Sequence, residues 1–293
     1  MNPAFGGTDE ELRLADGRRL LLTRYGDLRG FPVLYCHGGL SSRLDVASAA
    51  PAARRAGVQI VAPDRPGIGG SDRRPRYQLL DWPGDVEQVA DALGMPRFAV
   101  MGWSFGAAYA TACAYALPDR VTRATLLASP IPRDWSGMIE QLNRLDRFLL
   151  RGSATAPVVE RQFLRLMRAT TRHAPRVFLK QTLRSLDPQS RRAISRHPDA
   201  FVAATLAGLH DLDGVLDDYR IWNRPWGFAL QELRSPVQVW HGRQDTLCPA
   251  QWAERLAGVI PDAALTVIPE AGHFVAHDHW PRILGELRSA SPA

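Results

Sequence analysis

A mostly parallel α/β sheet, split by a long helical insertion, is the architecture this sequence predicts. Three features of the chain carry it. Through residue 130, short apolar runs alternate with helical periodicity, as they do where parallel strands are joined by crossover helices. Between Pro130 and Ser235 the strand signal disappears and apolar residues recur at helical spacing. After Ser235 the alternation of strand and helix resumes. The expected layout is a core built from residues 1–130 and 235–293, with residues 131–234 as a helical cap over the C-terminal edge of the sheet.

The elements follow in order. Glu11 to Ala15 and Leu20 to Arg24 read as a hairpin turned at Asp16-Gly17, a pairing of small turn formers between alternating apolar positions. Val33 to Cys36 and Gln59 to Ala62 are short apolar runs bounded by proline and glycine, the pattern of strands buried on both faces. Asp81 to Leu93 places Val86, Val89 and Leu93 on one helical face. Phe98 to Met101 reads as a buried strand, Ala107 to Leu117 as an alanine-rich helix, and Val121 to Ala128 as the strand that closes the first half. In the insertion, Met138 to Leu150 and Val159 to Thr171 are expected as continuous helices. Beyond it, Val237 to Trp240 and Leu265 to Ile268 read as strands, and Pro249 to Leu256 and Trp280 to Leu287 as helices.

Bulk properties exclude several classes. The 293 residues suffice for one large domain with an ample core. No run approaches 18 apolar residues, and Met1 to Glu11 has no apolar core of a signal peptide, so neither a spanning helix nor a secretory leader is expected. Cys36, Cys113 and Cys248 are odd in number and far apart; they form neither a disulfide framework nor a metal-ligand set, which fits a reducing cytoplasm. Lys180 is the sole lysine, so nearly all the positive charge is arginine.

Gly102-Trp103-Ser104-Phe105-Gly106 sits at the junction of a strand and a helix. A serine in that position, with glycine two residues away on either side, is the sharp turn that lifts a nucleophile above a sheet. A hydroxyl needs a base to take its proton, and the base needs a carboxylate to orient it. Asp245 follows the strand ending at Trp240, and His273 follows the strand ending at Ile268, so both occupy loops at the same sheet edge as Ser104. Asp134, beyond the strand ending near Ala128, is a rival acid; His277 and His279, on or beside the last helix, are rival bases. The loop Cys36-His37-Gly38-Gly39 would supply one oxyanion donor, the amide of Gly39, and Phe105 the other. Trp103 and His37 are candidate pocket residues, although His37 is better read as a holder of the loop backbone. Asp64 to Ser71 lacks the order of a phosphate loop and reads as a glycine-rich turn beside the site, with Asp64 and Arg65 in local hydrogen bonds.

With His37-Gly38-Gly39, Asp64 to Ser71, Gly102 to Gly106, His241 to Asp245 and Gly272-His273 in this order, the chain resembles the α/β-hydrolase fold proteins. The resemblance implies a mostly parallel eight-stranded sheet with helices on both faces and a helical cap that shapes the substrate pocket. It also implies Ser104 as nucleophile, His273 as base and Asp245 as its orienter, with no metal or organic cofactor. A small-molecule acyl substrate, foremost a carboxylic ester, is the expected target. Acyl transfer, cofactor-free haloperoxidase chemistry and carbon–carbon bond hydrolysis use the same three residues in similar proteins, and a ligand receptor on this fold is an alternative of another class. Epoxide and haloalkane chemistry is disfavoured, because such members carry aspartate where this chain has Ser104.

Charge is concentrated in the insertion. Residues 144–196 carry 13 basic and 3 acidic side chains, a net +10. Arg161, Arg165, Arg168 and Arg172 share one helix face. Such a stripe is either a solvated face or a surface for an anionic substrate or carrier. Without interleaved aromatic platforms it is a poor fit to nucleic acid.

Overall fold

The computed structural model describes residues 5–155 and 157–289. Eight strands form one sheet in the order β1-β2-β4-β3-β5-β6-β7-β8. They are β1 (Thr8–Arg13), β2 (Arg19–Gly26), β3 (Phe31–Cys36), β4 (Val58–Pro63), β5 (Phe98–Trp103), β6 (Val121–Leu127), β7 (Val237–Gly242) and β8 (Ala263–Ile268). β1 and β2 pair antiparallel, as do β2 and β4, and every other pairing is parallel. Each expected strand is present; most run one or two residues further at one or both ends, while β1 starts three residues earlier and ends two earlier than expected, and β6 ends one earlier.

Alternation along the strands divides the core in two, since successive side chains leave a sheet on opposite faces. Leu34, Cys36, Phe98 and Val100 point to one face and join Trp82, Val86, Ala110 and Trp252. Val33, Tyr35, Ala99 and Met101 point to the other and join Ala53, Trp280, Ile283 and Leu284. The first face is covered by α2 (Trp82–Ala92), α3 (Gly106–Ala116) and α11 (Ala250–Val259), the second by α1 (Ala50–Ala56) and α12 (Ala276–Ser289). α3 is buried along nearly its whole length, and its alanines let it lie close to the central strands.

Among the described residues, seven α-helices lie between β6 and β7: α4 (Met138–Gln141), α5 (Arg144–Thr155), α6 (Pro157–His173), α7 (Pro175–Ser185), α8 (Pro188–Arg196), α9 (Pro198–Gly208) and α10 (Leu212–Trp222). The single helix expected over Met138 to Leu150 is two. Asn143 breaks it: its Oδ1 accepts from the Asp146 amide at 3.0 Å and its Nδ2 donates to Asp146 Oδ2 at 2.6 Å, so Asn143 caps a new helix instead of continuing the old one. α7, α8 and α9 each begin on proline, which fits the first turn because it has no amide hydrogen to leave unpaired.

α10 is locked to the core by a buried ion pair. The Arg65 guanidinium, 1 % exposed, donates to both carboxylate oxygens of Asp218, at 3.0 and 2.6 Å. It also donates to the carbonyls of His37 and Gly38 and lies over the Tyr109 ring at 4.6 Å. The local bonding expected of Arg65 is thus corrected: its donors reach acceptors in two distant segments and its planar face a ring in a third, which a short-range turn could not supply. Removing one partner from such a pair leaves a charge buried and uncompensated. Asp218→Ala should therefore cost about 3–5 kcal/mol of stability, read as a fall in the denaturant midpoint; an unchanged midpoint would contradict this placement of Arg65.

Candidate active site

The turn between β5 and α3 holds Ser104 at φ +52°, a left-handed conformation costing a residue with a Cβ on the order of 1 kcal/mol. Its glycines answer a packing demand. A Cβ on Gly102 would strike the Gly106 carbonyl, and one on Gly106 would strike the carbonyl oxygens of Cys36 and His37. Only hydrogen fits at either place, and the serine side chain is left at the C-terminal edge of the sheet, where ligands of open α/β sheets collect.

Three side chains from three loops meet there. Ser104 Oγ lies 2.9 Å from His273 Nε2, and His273 Nδ1 lies 2.8 Å from Asp245 Oδ2. Asp245 is buried, and its Oδ1 accepts from the amides of Leu247 and Cys248 at 2.8 and 2.9 Å. Burial pushes its carboxyl up, but the electrostatic attraction of the His273 and His241 rings and the hydrogen bonds they make to it outweigh burial and hold it below the usual carboxylate range. An ionised carboxylate can only accept, so Nδ1 of His273 carries the proton and Nε2 turns its lone pair toward the serine hydroxyl.

The rivals lie elsewhere. Asp134 is on a separate surface recess with Trp135 and Gly137, and Asp245 is the acid that touches His273. His277 and His279 are both on α12; His277 reaches the cavity, and His279 packs near Trp240. His37 does not line the cavity, which corrects its candidacy as a pocket residue. Its ring is fully buried, with Nε2 accepting from the Arg65 amide at 3.2 Å and Nδ1 donating to the Gly38 carbonyl at 2.9 Å. Burial, then the Arg65 charge, hold it neutral, well below the ordinary histidine range. Gly39, Trp103 and Phe105 all line the cavity, and among the described residues no acceptor engages the amides of Gly39 or Phe105.

Contacts invisible in the sequence fix the histidine. Its amide donates to Ser190 Oγ at 2.9 Å, and its carbonyl accepts from Trp103 Nε1 at 3.0 Å. Ser190 in turn donates to Asp187 Oδ2 at 2.6 Å, at the start of α8. His241 stands 3.3 Å from Asp245 Oδ2, a second ring beside the acid. The signal for Asp187 was present, since Asp before Pro188 marks a helix start, but its reach to His273 crosses more than eighty residues.

The serine and histidine open into a cavity of about 800 Å³. Rings and aliphatic chains from the inserted helices, among them Phe163, Met167, Phe178, Ile194 and Phe201, make most of its far wall.

The alpha/beta hydrolase fold model matches residues 32–279. The chain belongs to this family. Among curated relatives of this hydrolase, 2-hydroxymuconate semialdehyde hydrolase of Pseudomonas putida is 28% identical over 282 residues, covering 92% of this chain and 89% of the relative. Pimeloyl-[acyl-carrier protein] methyl ester esterase of Aromatoleum aromaticum is 29% identical over 238 residues, 76% of this chain and 84% of the relative. Among solved structures, epoxide hydrolase A of Mycobacterium thermoresistibile superposes with a TM-score of 0.71 at 20% identity, over 97% of this chain and 98% of that one, a likeness of fold alone. No described helix of the hydrolase is long and apolar enough to cross a membrane.

Asp45, beside the glycine loop, accepts from the Gly38 amide at 3.0 Å. Burial pushes its pKa up to about 7, against the pull of that amide. The unfolded chain would release this proton near 3.8 while the folded one retains it until about 7, so between these values the folded state binds more protons and loses stability as pH rises. Across that window the melting temperature of the wild type should fall relative to that of Asp45→Asn; parallel curves would contradict the burial of an ionisable group here.

Proposed function

We propose that this hydrolase cleaves carboxylic esters with a large apolar moiety, through an acyl-enzyme on Ser104. The observation that carries the reading is the relay of Ser104 Oγ, His273 and Asp245 at 2.9 and 2.8 Å, opening into the apolar cavity. His273 Nε2 takes the hydroxyl proton as Ser104 Oγ attacks the carbonyl carbon, and Asp245 stabilises the imidazolium. The oxyanion of the tetrahedral intermediate accepts from the amides of Gly39 and Phe105. Its collapse expels the alcohol, which receives the proton from His273. Water, deprotonated by the same ring, then attacks the acyl-enzyme and releases the acid. The methyl ester esterase among the relatives supports ester cleavage.

Serine at the elbow also argues against displacement at saturated carbon. Attack there by a hydroxyl would leave an ether, which water does not cleave under these conditions, whereas an aspartate would leave a hydrolysable ester. Carbon–carbon bond hydrolysis is the second reading, favoured by the Pseudomonas putida relative. It uses the same serine and histidine with a carbon leaving group.

A fluorophosphonate probe should label the wild type and leave Ser104→Ala unlabelled; an unlabelled wild type would overturn the reading. A series of p-nitrophenyl esters of rising chain length, beside a vinylogous ketone that releases an acid on carbon–carbon cleavage, then separates the two reactions. On the better ester, Ser190→Ala should lower kcat by about 10- to 100-fold with little change in KM, since it frees the peptide of His273 without touching the pocket wall. An unchanged kcat would remove Ser190 from the positioning of the base.

A further inference from the structure

We infer that Arg144 binds a carboxylate on the acyl half of the substrate, and that the apolar half of the ester is its alcohol. This assignment rests on the ester reading above and names the substrate class for that same site. The cavity has two unlike walls, which part at the nucleophile. One begins at the base. The His273 ring lies 5.3 Å from that of Trp103 and 5.9 Å from that of Phe274. Phe274 meets Phe201 edge to face at 6.0 Å, and Phe201 stacks on Phe178, also at 6.0 Å. Leu186, Ile194 and Leu247 pack around these rings, and all of them line the cavity. His277 stands against Phe274 at 5.5 Å, and burial, then the charge of His197, push its pKa down to about 4, so its ring is neutral here.

The other wall begins at Phe105 and follows α10 to α5. The Phe105 ring lies 4.5 Å from Trp222 and 6.2 Å from Tyr219. The Tyr219 hydroxyl donates to Asp146 Oδ1 at 2.7 Å, and Asp146 Oδ2 accepts from Asn143 Nδ2 at 2.6 Å. Arg144 follows Asn143 in the chain, and Trp222, Tyr219, Asp146, Asn143 and Arg144 all line the cavity. The chemistry gives each wall one half of the ester. The departing alkoxide takes its proton from His273 Nε2, so the alcohol lies on the side of His273, against the phenylalanines. The oxyanion is turned to the amides of Gly39 and Phe105. The remaining substituent of the tetrahedral carbon, the acyl chain, is directed away from the base, toward α10 and α5.

On that second wall Tyr219, Asp146 and Asn143 bond one another, and both carboxylate oxygens of Asp146 are engaged. Arg144 is left over. It is the one arginine or lysine among the residues that line the cavity, and its side chain has no partner among the described residues. Nor does helix stability account for it: Arg144 opens α5, where a cation opposes the helix dipole. A guanidinium offers donors alone, and its planar fork matches the two oxygens of a carboxylate. A half-ester of a dicarboxylic acid with an apolar alcohol therefore satisfies both walls at once.

Three esters test this: benzyl hydrogen glutarate, with its carboxylate on the acyl half; benzyl pentanoate, which is neutral; and para-carboxybenzyl pentanoate, with its carboxylate on the alcohol half. In the wild type, kcat/KM for benzyl hydrogen glutarate should exceed that for benzyl pentanoate by about five- to tenfold, and the excess should shrink with added salt. The para-carboxybenzyl ester should be the poorest of the three. Arg144→Gln should bring the ratio of the first two close to one, chiefly through KM, and Arg144→Lys should restore part of it, circular dichroism confirming the fold of each variant. A ratio near one in the wild type, or one that Arg144→Gln leaves unchanged, overturns the assignment. A preference for para-carboxybenzyl pentanoate reverses the two halves and overturns it as well. Calorimetric binding to Ser104→Ala is independent of turnover: it should favour benzyl hydrogen glutarate over benzyl pentanoate by a similar factor, and lose that preference when Arg144→Gln is added. Selective binding with no ester cleaved by the wild type removes the ester reading and leaves the recognition of a carboxylate by Arg144 standing; cleavage without selectivity does the reverse.

Discussion

The buried guanidinium of Arg65 is the contact on which the other parts of the site depend. From the loop after β4 it holds the carbonyls of His37 and Gly38, and so the loop that presents Gly39. Through Asp218 it holds α10, and Tyr109 of α3 closes the network by donating to Asp218 Oδ1 at 2.7 Å. Burial alone would favour loss of its proton, but the Asp218 carboxylate keeps the group charged. A lysine would not serve here: one ammonium cannot present a planar fork to a carboxylate and two carbonyls at once. The pair is costly to desolvate and gives little net stability, and its contribution is geometric, since the planar fork fixes the loop at His37-Gly38 and α10 relative to each other.

Strain at Ser104 is tolerable within this frame. The left-handed residue is gripped by its amide donating to the Leu127 carbonyl and by its own carbonyl accepting from Ala107, at 2.8 and 2.9 Å. β5 and α3 are both buried along nearly their whole length, so the short turn between them is held from both sides. The geometry of the hydroxyl follows from the rigidity of its flanks.

Sheet and elbow were legible in the sequence because their signals are local. Alternating or continuous apolar runs reveal strands, and Gly102 and Gly106 record a close approach of backbone within five residues. Asp245 and His273 were legible for a related reason: each follows a recognisable strand, and parallel strands deliver their loops to one edge. The helices α7, α8 and α9 were not read, although Pro175, Pro188 and Pro198 each mark a first turn, because their apolar positions are few and their faces meet each other and the cavity instead of one broad core. Asn143 was hidden inside a helical repeat, where a capping side chain overrides periodicity. The bonds from Ser190 and Trp103 to the peptide of His273 had no signal at all, since a hydroxyl meeting a distant amide leaves no pattern in the chain.

The grip of Ser190 on His273 divides the insertion into two mechanical parts. α8 carries a bond to the peptide of the proposed base, so a swing of α8 away from the sheet would release that peptide and misalign the relay. α5, α6 and α7 carry no such bond among the described residues; their side chains line the cavity instead. The demands on the two parts therefore differ: α8 answers for the position of the proposed base, and the other three helices for the shape of the space beside it.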